Sequence, residues 1–89
     1  ETYLEALIGL GSCARARGDL REALTTFKQA LEVDPFREDI HRAIMLCHAD
    51  SGDKNKIHIQ FQELKALLRD ELAVEPTDET IRLVQTLLA

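Results

Sequence analysis

The sequence predicts an all-α fold: a right-handed superhelix of helical hairpins, about five helices in one domain spanning residues 1–89. Three observations predict it. Apolar residues recur at helical spacing, as in Ala23, Phe27, Ala30 and Leu31, which fall at i, i+4, i+7 and i+8. Helix breakers divide the chain at regular places: Gly18, Asp34-Pro35, Gly52 and Pro76. The chain also matches itself when slid by 34 positions. Leu10 meets Ile44, Cys13 meets Cys47, Gly18 meets Gly52, Asp19 meets Asp53 and Phe27 meets Phe61.

The elements follow in order. The first helix is expected over Thr2–Ala16, with Leu4, Leu7, Ile8, Gly11 and Ala14 or Arg15 in register. Gly11 inside it costs roughly 1 kcal/mol relative to Ala, which makes sense if a neighbouring helix packs on bare backbone there. Gly18 ends this helix, because glycine tolerates positive φ. The second helix is the best marked, Leu20–Val33, with Asp19 as N-cap and Glu22 at capping-box spacing. Small Ala23 and Ala30 flank large Phe27, so another helix can approach closely. The third covers Arg37–Asp50, with Ile40, Ile44, Cys47 and His48 inward. The fourth runs from Lys54 to Ala73 with Ile57, Phe61, Leu64, Leu68 and Leu72 on one face. Thr77 is the N-cap expected for the fifth, Asp78 and Glu79 suit its first turn, and Ile81, Val84, Leu87 and Leu88 form its buried stripe.

Composition narrows the function. Hydrophobic residues make up 45% and charged residues 30% of 89 positions, which suits a water-soluble domain with a thin core. Aromatics are only 4%, so aliphatic side chains must fill that core. The net charge of -5 and the scattered basic residues argue against a phosphate-tracking surface. No run approaches the ~18 apolar residues of a membrane span, and no signal-peptide pattern opens the chain. It begins at Glu1 without Met and already in helical register, so a piece of a longer protein is expected. Two cysteines make no disulfide framework; Cys13 and Cys47 are expected to be reduced, half-buried thiols of a cytoplasmic protein.

Catalytic chemistry finds no support. His41 and His48 stand two helical turns apart, about 10 Å, too far to share one metal. Cys47 and His48 are adjacent and point about 100° apart. The acidic pairs, Glu32/Asp34, Glu38/Asp39, Asp70/Glu71 and Asp78/Glu79, lie near helix ends and read as solvated charges. Ser12 and Ser51 have no neighbouring base, and no glycine-rich phosphate loop is present. No enzyme, cofactor or metal is expected.

The 34-residue period is that of the tetratricopeptide helix-turn-helix unit. Leu7, Leu10-Gly11, Ala14, Gly18, Ala23, Phe27, Ala30 and Pro35 resemble one whole such repeat. The second unit, about Glu38–Glu71, keeps Gly52 and Phe61 but has Ile57 and Leu64 where small residues are usual. Pro76 comes 41 residues after Pro35, so the fourth helix outruns the repeat by about two turns. The runs Asp34-Pro35-Phe36-Arg37-Glu38, Ser51-Gly52-Asp53 and Leu68-Arg69-Asp70-Glu71-Leu72-Ala73-Val74-Glu75-Pro76 resemble a narrower family, the bacterial transcriptional activator domain. In Streptomyces antibiotic regulatory proteins and related regulators this domain follows a winged-helix DNA-binding domain. The family usually has Gly where this chain has Ala73, which implies a locally different helix end.

The resemblance implies an interaction domain of a bacterial transcription factor. Its partner would be another protein or a second copy, and DNA contact would belong to a winged-helix domain outside this chain. A stand-alone tetratricopeptide adaptor, binding a peptide or a partner helix, is the alternative. In tetratricopeptide arrays the first helix of each hairpin lines a concave groove. Here that face would carry Glu5, Ile8, Ser12 and Arg15 from the first helix, and Asp39, Arg42, Leu46 and Ala49 from the third. The partner-binding candidates are therefore Ile8, Ser12, Arg15, Arg42, Leu46 and Ala49. Ile8 and Ser12 stand where some such repeats carry a Lys/Asn clamp for a terminal carboxylate, so that clamp is not expected. The first helix carries Leu4, Leu7, Ile8 and Leu10, more apolar surface than one neighbour covers, so self-association or an exposed groove is expected there.

Overall fold

Five helices follow one another without an intervening strand in the computed structural model, which describes residues 2–89. They are α1 (Tyr3–Ala16), α2 (Leu20–Val33), α3 (Glu38–Asp50), α4 (Lys54–Leu72) and α5 (Asp78–Leu88). The boundaries differ from the sequence reading only at cap residues. Thr2 is the N-cap of α1, its hydroxyl accepting from the Glu5 amide at 3.1 Å. Asp19 and Asp53 cap α2 and α4 in the same way, through the amides of Glu22 and Lys56.

Gly18 and Gly52 both turn the chain at positive φ, 81° and 72°. Each closes a Schellman motif: Asp19 donates to the Ala14 carbonyl, and Asp53 to the His48 carbonyl, both at 2.9 Å. The recurrence of Gly-Asp after 34 residues is thus a recurrence of one turn. The end of α4 does not depart from this scheme as the Ala73 substitution implied. Ala73 itself takes the left-handed conformation, φ 55°, and Val74 donates back to the Leu68 carbonyl at 3.3 Å. A residue with a Cβ is disfavoured there by about 1 kcal/mol. Ala73→Gly is therefore expected to raise stability by about 0.5–1 kcal/mol, measured by urea denaturation.

Two apolar clusters share α3 between them. The first joins α1, α2 and α3 through Leu7, Ala14, Ala23, Phe27, Ala30, Ile40, Ile44 and Cys47. The second joins α3, α4 and α5 through Met45, Ile57, Leu64, Leu68 and Val84. A helix that faces two cores is apolar around most of its circumference, and α3 buries Ile40, His41, Ile44, Met45, Cys47 and His48. His41 is accommodated because its ring is fully bonded. Nε2–H donates to the Pro35 carbonyl at 2.9 Å, and Nδ1 accepts from the Gln60 amide at 2.8 Å.

Gly11 bears out the close approach that its cost suggested. A Cβ placed on it would lie 2.6 Å from Cε1 of Phe27. Phe27 therefore lies over bare α1 backbone and is 1% exposed. The internal repeat breaks at this spot. Met45 stands where the first hairpin has Gly11, and it is completely buried. Met45 thus puts a side chain where the first hairpin has bare backbone, and Phe61 is half-buried against the second cluster with Lys65 over its ring at 5.4 Å.

Other expectations are corrected as well. Gln60 is buried on the inner face of α4, Phe61 packs against the second cluster but is only partly buried, and Leu72 is 49% exposed. Thr80 is completely buried, although it reads as a polar residue next to the stripe of α5. The two cysteines are not half-buried: Cys13 is exposed and Cys47 has no exposure at all; both are free. Burial pushes the Cys47 thiol above its ordinary range. It also pushes the His48 imidazole below its own, with the charges of Lys56 and Lys28 adding to the effect.

Candidate partner-binding groove

Two adjoining recesses open along the side of α3, and Leu46 borders both. The first, of about 390 Å³, lies between α1 and α3, with Ser12, Arg15, Ala43 and Asp50 on its walls and Phe27 beneath. The second, of about 380 Å³, lies between α3 and α5, with Arg42, Glu79, Arg82, Leu83 and Thr86 around it. Together they form an open groove with an apolar floor and charged edges.

Arg15 and Asp50 close one end as a strut between α1 and α3. The pair is bidentate, Nε to Oδ2 at 2.6 Å and Nη2 to Oδ1 at 3.0 Å. The hydrogen bond to Arg15 holds the Asp50 carboxyl below the usual range and raises the guanidinium in turn. Both side chains are 36% exposed, so the pair adds about 0–1 kcal/mol to stability. Its weight lies in fixing the distance between the two walls.

The α5 wall is held by a hydrogen-bond cluster on Glu38. Its Oε1 accepts from the Thr77 amide at 3.0 Å, from the Thr77 hydroxyl at 3.1 Å and from the Thr80 hydroxyl at 2.7 Å. Arg42 completes the cluster, donating to Thr80 Oγ1 at 2.8 Å and lying 3.6 Å from Glu79. Glu38 is thus no solvated end charge. Thr77 stands at the N-cap of α5, as expected, but makes no cap bond to its own helix. The carboxylate of α3 supplies the acceptor there, one that also suits the positive end of the α5 dipole.

Of the six candidates, Ser12, Arg15, Arg42 and Leu46 line the recesses. Ile8 packs against the first core cluster and Ala49 against the second, both partly buried, so they support the walls from behind. Asp39, placed on the same face by register, is engaged with Arg37 through two bonds of 2.6 and 3.0 Å. That bond depresses its carboxyl from the ordinary value. Register could not supply Asp50, nor Glu79, Arg82, Leu83 and Thr86, because it says nothing of how α5 folds back beside α3. Among the described residues no three metal-ligating side chains converge, and no helix is long and apolar enough to cross a membrane.

The family model of the bacterial transcriptional activator domain matches residues 1–88, essentially the whole chain. The chain belongs to that family. No curated protein and no solved structure matches it. As a bacterial transcriptional activator domain, it works in the regulation of transcription. The edge of the groove carries Arg15, Arg42 and Arg82 against Asp50 and Glu79, a slight excess of positive charge on a chain of net charge -5.

Proposed function

We propose that this activator domain works by protein contact through the groove along α3, holding a regulator dimer or meeting the transcription machinery in the cytoplasm. The observation that carries the reading is the groove itself: an apolar floor of Leu46 and Leu83 beside charged edges, on a domain with no dense basic stripe. Such a surface suits a helix or extended segment with an acidic group among apolar residues. DNA contact belongs to a winged-helix domain elsewhere in the regulator. Nothing in the groove resembles a catalytic constellation, and the domain is read as non-enzymatic.

The isolated chain is expected not to shift duplex DNA at physiological salt, while the full-length regulator does. Arg42→Ala with Leu46→Ala should impair activation or dimerisation and keep the helical circular dichroism spectrum. Arg42 also holds Thr80, so Leu46→Ala with Arg82→Ala serves as a second pair that leaves that bond intact. Tight, salt-sensitive DNA binding by the isolated chain, or full activation by both variants, would defeat the reading.

A further inference from the structure

His48 is only 8% exposed, yet its ring bonds to no other described residue, whereas the ring of His41 is bonded at both nitrogens. In the repeat it stands where the first hairpin has Ala14, a fully buried packing position. No fully buried polar side-chain atom lacks a partner, so the His48 nitrogens reach a surface. That surface is a third recess, of about 340 Å³, which shares no lining residue with the groove. Leu24 and Lys28 of α2 form one wall, and Lys56, Ile59, Gln60 and Glu63 of α4 the other. No Cα of α2 comes within 8 Å of one of α4, so the recess is a gap between the two hairpins.

Its cations are largely unspent. Lys28 forms no ion pair among the described residues. Lys56 reaches only Asp53, at 3.9 Å, and that carboxylate already caps α4. Glu63 is the one carboxylate in the lining. A local excess of positive charge on a chain of net charge -5 thus surrounds an imidazole with free bonding capacity. The volume lies at the small end of ligand pockets, which begin near about 300 Å³. Leu24 is partly buried and Ile59 is 47% exposed, an apolar surface beside the charges.

We propose that this recess binds a small organic anion, its carboxylate or phosphate head held by Lys28, Lys56 and the His48 imidazole and its short apolar body lying on Leu24 and Ile59. Burial, and then the charges of Lys56 and Lys28, hold the free imidazole below its ordinary value, with Asp53 opposing them. A bound anion favours the charged ring, so the His48 pKa rises on binding and a proton is taken up. Affinity is therefore greatest below the free value and falls as pH rises toward the bound one. Glu63 repels the anion wherever it is ionised, which is a constant offset over that range. The ligand also ties α2 to α4, so it raises the melting temperature.

The test is proton NMR of the 89-residue chain titrated with hexanoate, hexyl phosphate and acetate. The His48 imidazole resonance should move saturably at millimolar hexanoate or hexyl phosphate, and its pH titration should shift upward. The tighter of the two names the head group. His58, exposed and outside the recess, should stay in place. Acetate should bind about tenfold more weakly, having no body to bury. Lys28→Gln and Lys56→Gln, both at exposed positions, should keep the helical spectrum and each weaken binding about three- to fivefold. Leu46→Ala with Arg82→Ala should bind as wild type, which separates this site from the groove. A His48 resonance that none of the three anions moves saturably would overturn the proposal. So would a titration that does not shift upward, affinity unchanged in both lysine variants, or acetate binding as tightly as hexanoate.

Discussion

Replacing Phe27 by Ala is expected to destabilise the domain by about 3–5 kcal/mol, the range for emptying a fully buried phenylalanine site. The reason is specific to this packing. The ring is 1% exposed and lies against the bare backbone of Gly11, so on that side no side chain can fill the void. Chemical denaturation followed by circular dichroism measures the loss. Lys28→Ala, one residue on but exposed, should stay within about 0.5 kcal/mol. Phe61→Ala should cost only about 1–2 kcal/mol, because that ring is half-buried and its burial sets the ceiling. Equal losses at 27 and 61 would mean that the two hairpins pack alike, contrary to the exchange of Gly11 for Met45.

Gly11→Ala sharpens the same expectation. Its methyl would meet three ring atoms of Phe27 at 2.6 to 2.8 Å. Overpacking of this kind costs about 1–3 kcal/mol, against a helix-propensity gain of about 1 kcal/mol. The net effect in wild type is a loss. In the Phe27→Ala background the clash is gone and the propensity gain remains, so the sign should reverse. That reversal identifies direct contact, since residues that touch are not additive.

The same pair explains what the sequence makes legible. Phe27 with Ala23 and Ala30 announces a close helix crossing, and Gly11 announces the partner surface, because both carry a local signature of size. The capping residues Asp19 and Asp53, and the glycines after α1 and α3, are legible for the same reason: each is decided by bonds within one turn of chain. The central place of α3 is not legible in that way. Its buried set includes His41 beside the expected His48, and His41 reads as inward only once Gln60 and the Pro35 carbonyl are seen to satisfy its ring. Phe61 misleads because its pattern repeats that of Phe27, while the difference between the two hairpins, Met45 in place of Gly11, lies on another helix.

The groove divides along the same line. Four of the six candidates from α1 and α3 line it, since periodicity alone assigns a residue to a helix face. The α5 wall depends on the fold of the last 16 residues, after Ala73. Nothing local in Glu38, Thr77 or Thr80 tells that they meet across about 40 positions of sequence.

Glu38→Ala is expected to cost about 1–3 kcal/mol, the price of leaving buried donors without an acceptor. The Thr80 hydroxyl carries most of it, because Thr80 has no exposure and donates at 2.7 Å to the lost carboxylate. The Thr77 amide and hydroxyl are nearer to water and lose less. Glu38→Gln keeps an acceptor oxygen but not the charge, and should lie between Ala and wild type. The loss should be local. Hydrogen exchange is expected to speed up along α5 while the amides of α1 and α2 keep their protection, because the first core cluster does not involve α5. Thr80→Val removes the donor of the same bond, so its effect and that of Glu38→Ala should fall well short of additive. Uniform acceleration across all five helices would show instead that α5 opens only with the whole domain. The consequence reaches the groove as well. Glu79, Arg82, Leu83 and Thr86 all ride on α5, so a helix that opens more often presents its wall for less of the time. A partner held across both recesses should therefore bind Glu38→Ala more weakly, although Glu38 is not itself a lining residue of either recess.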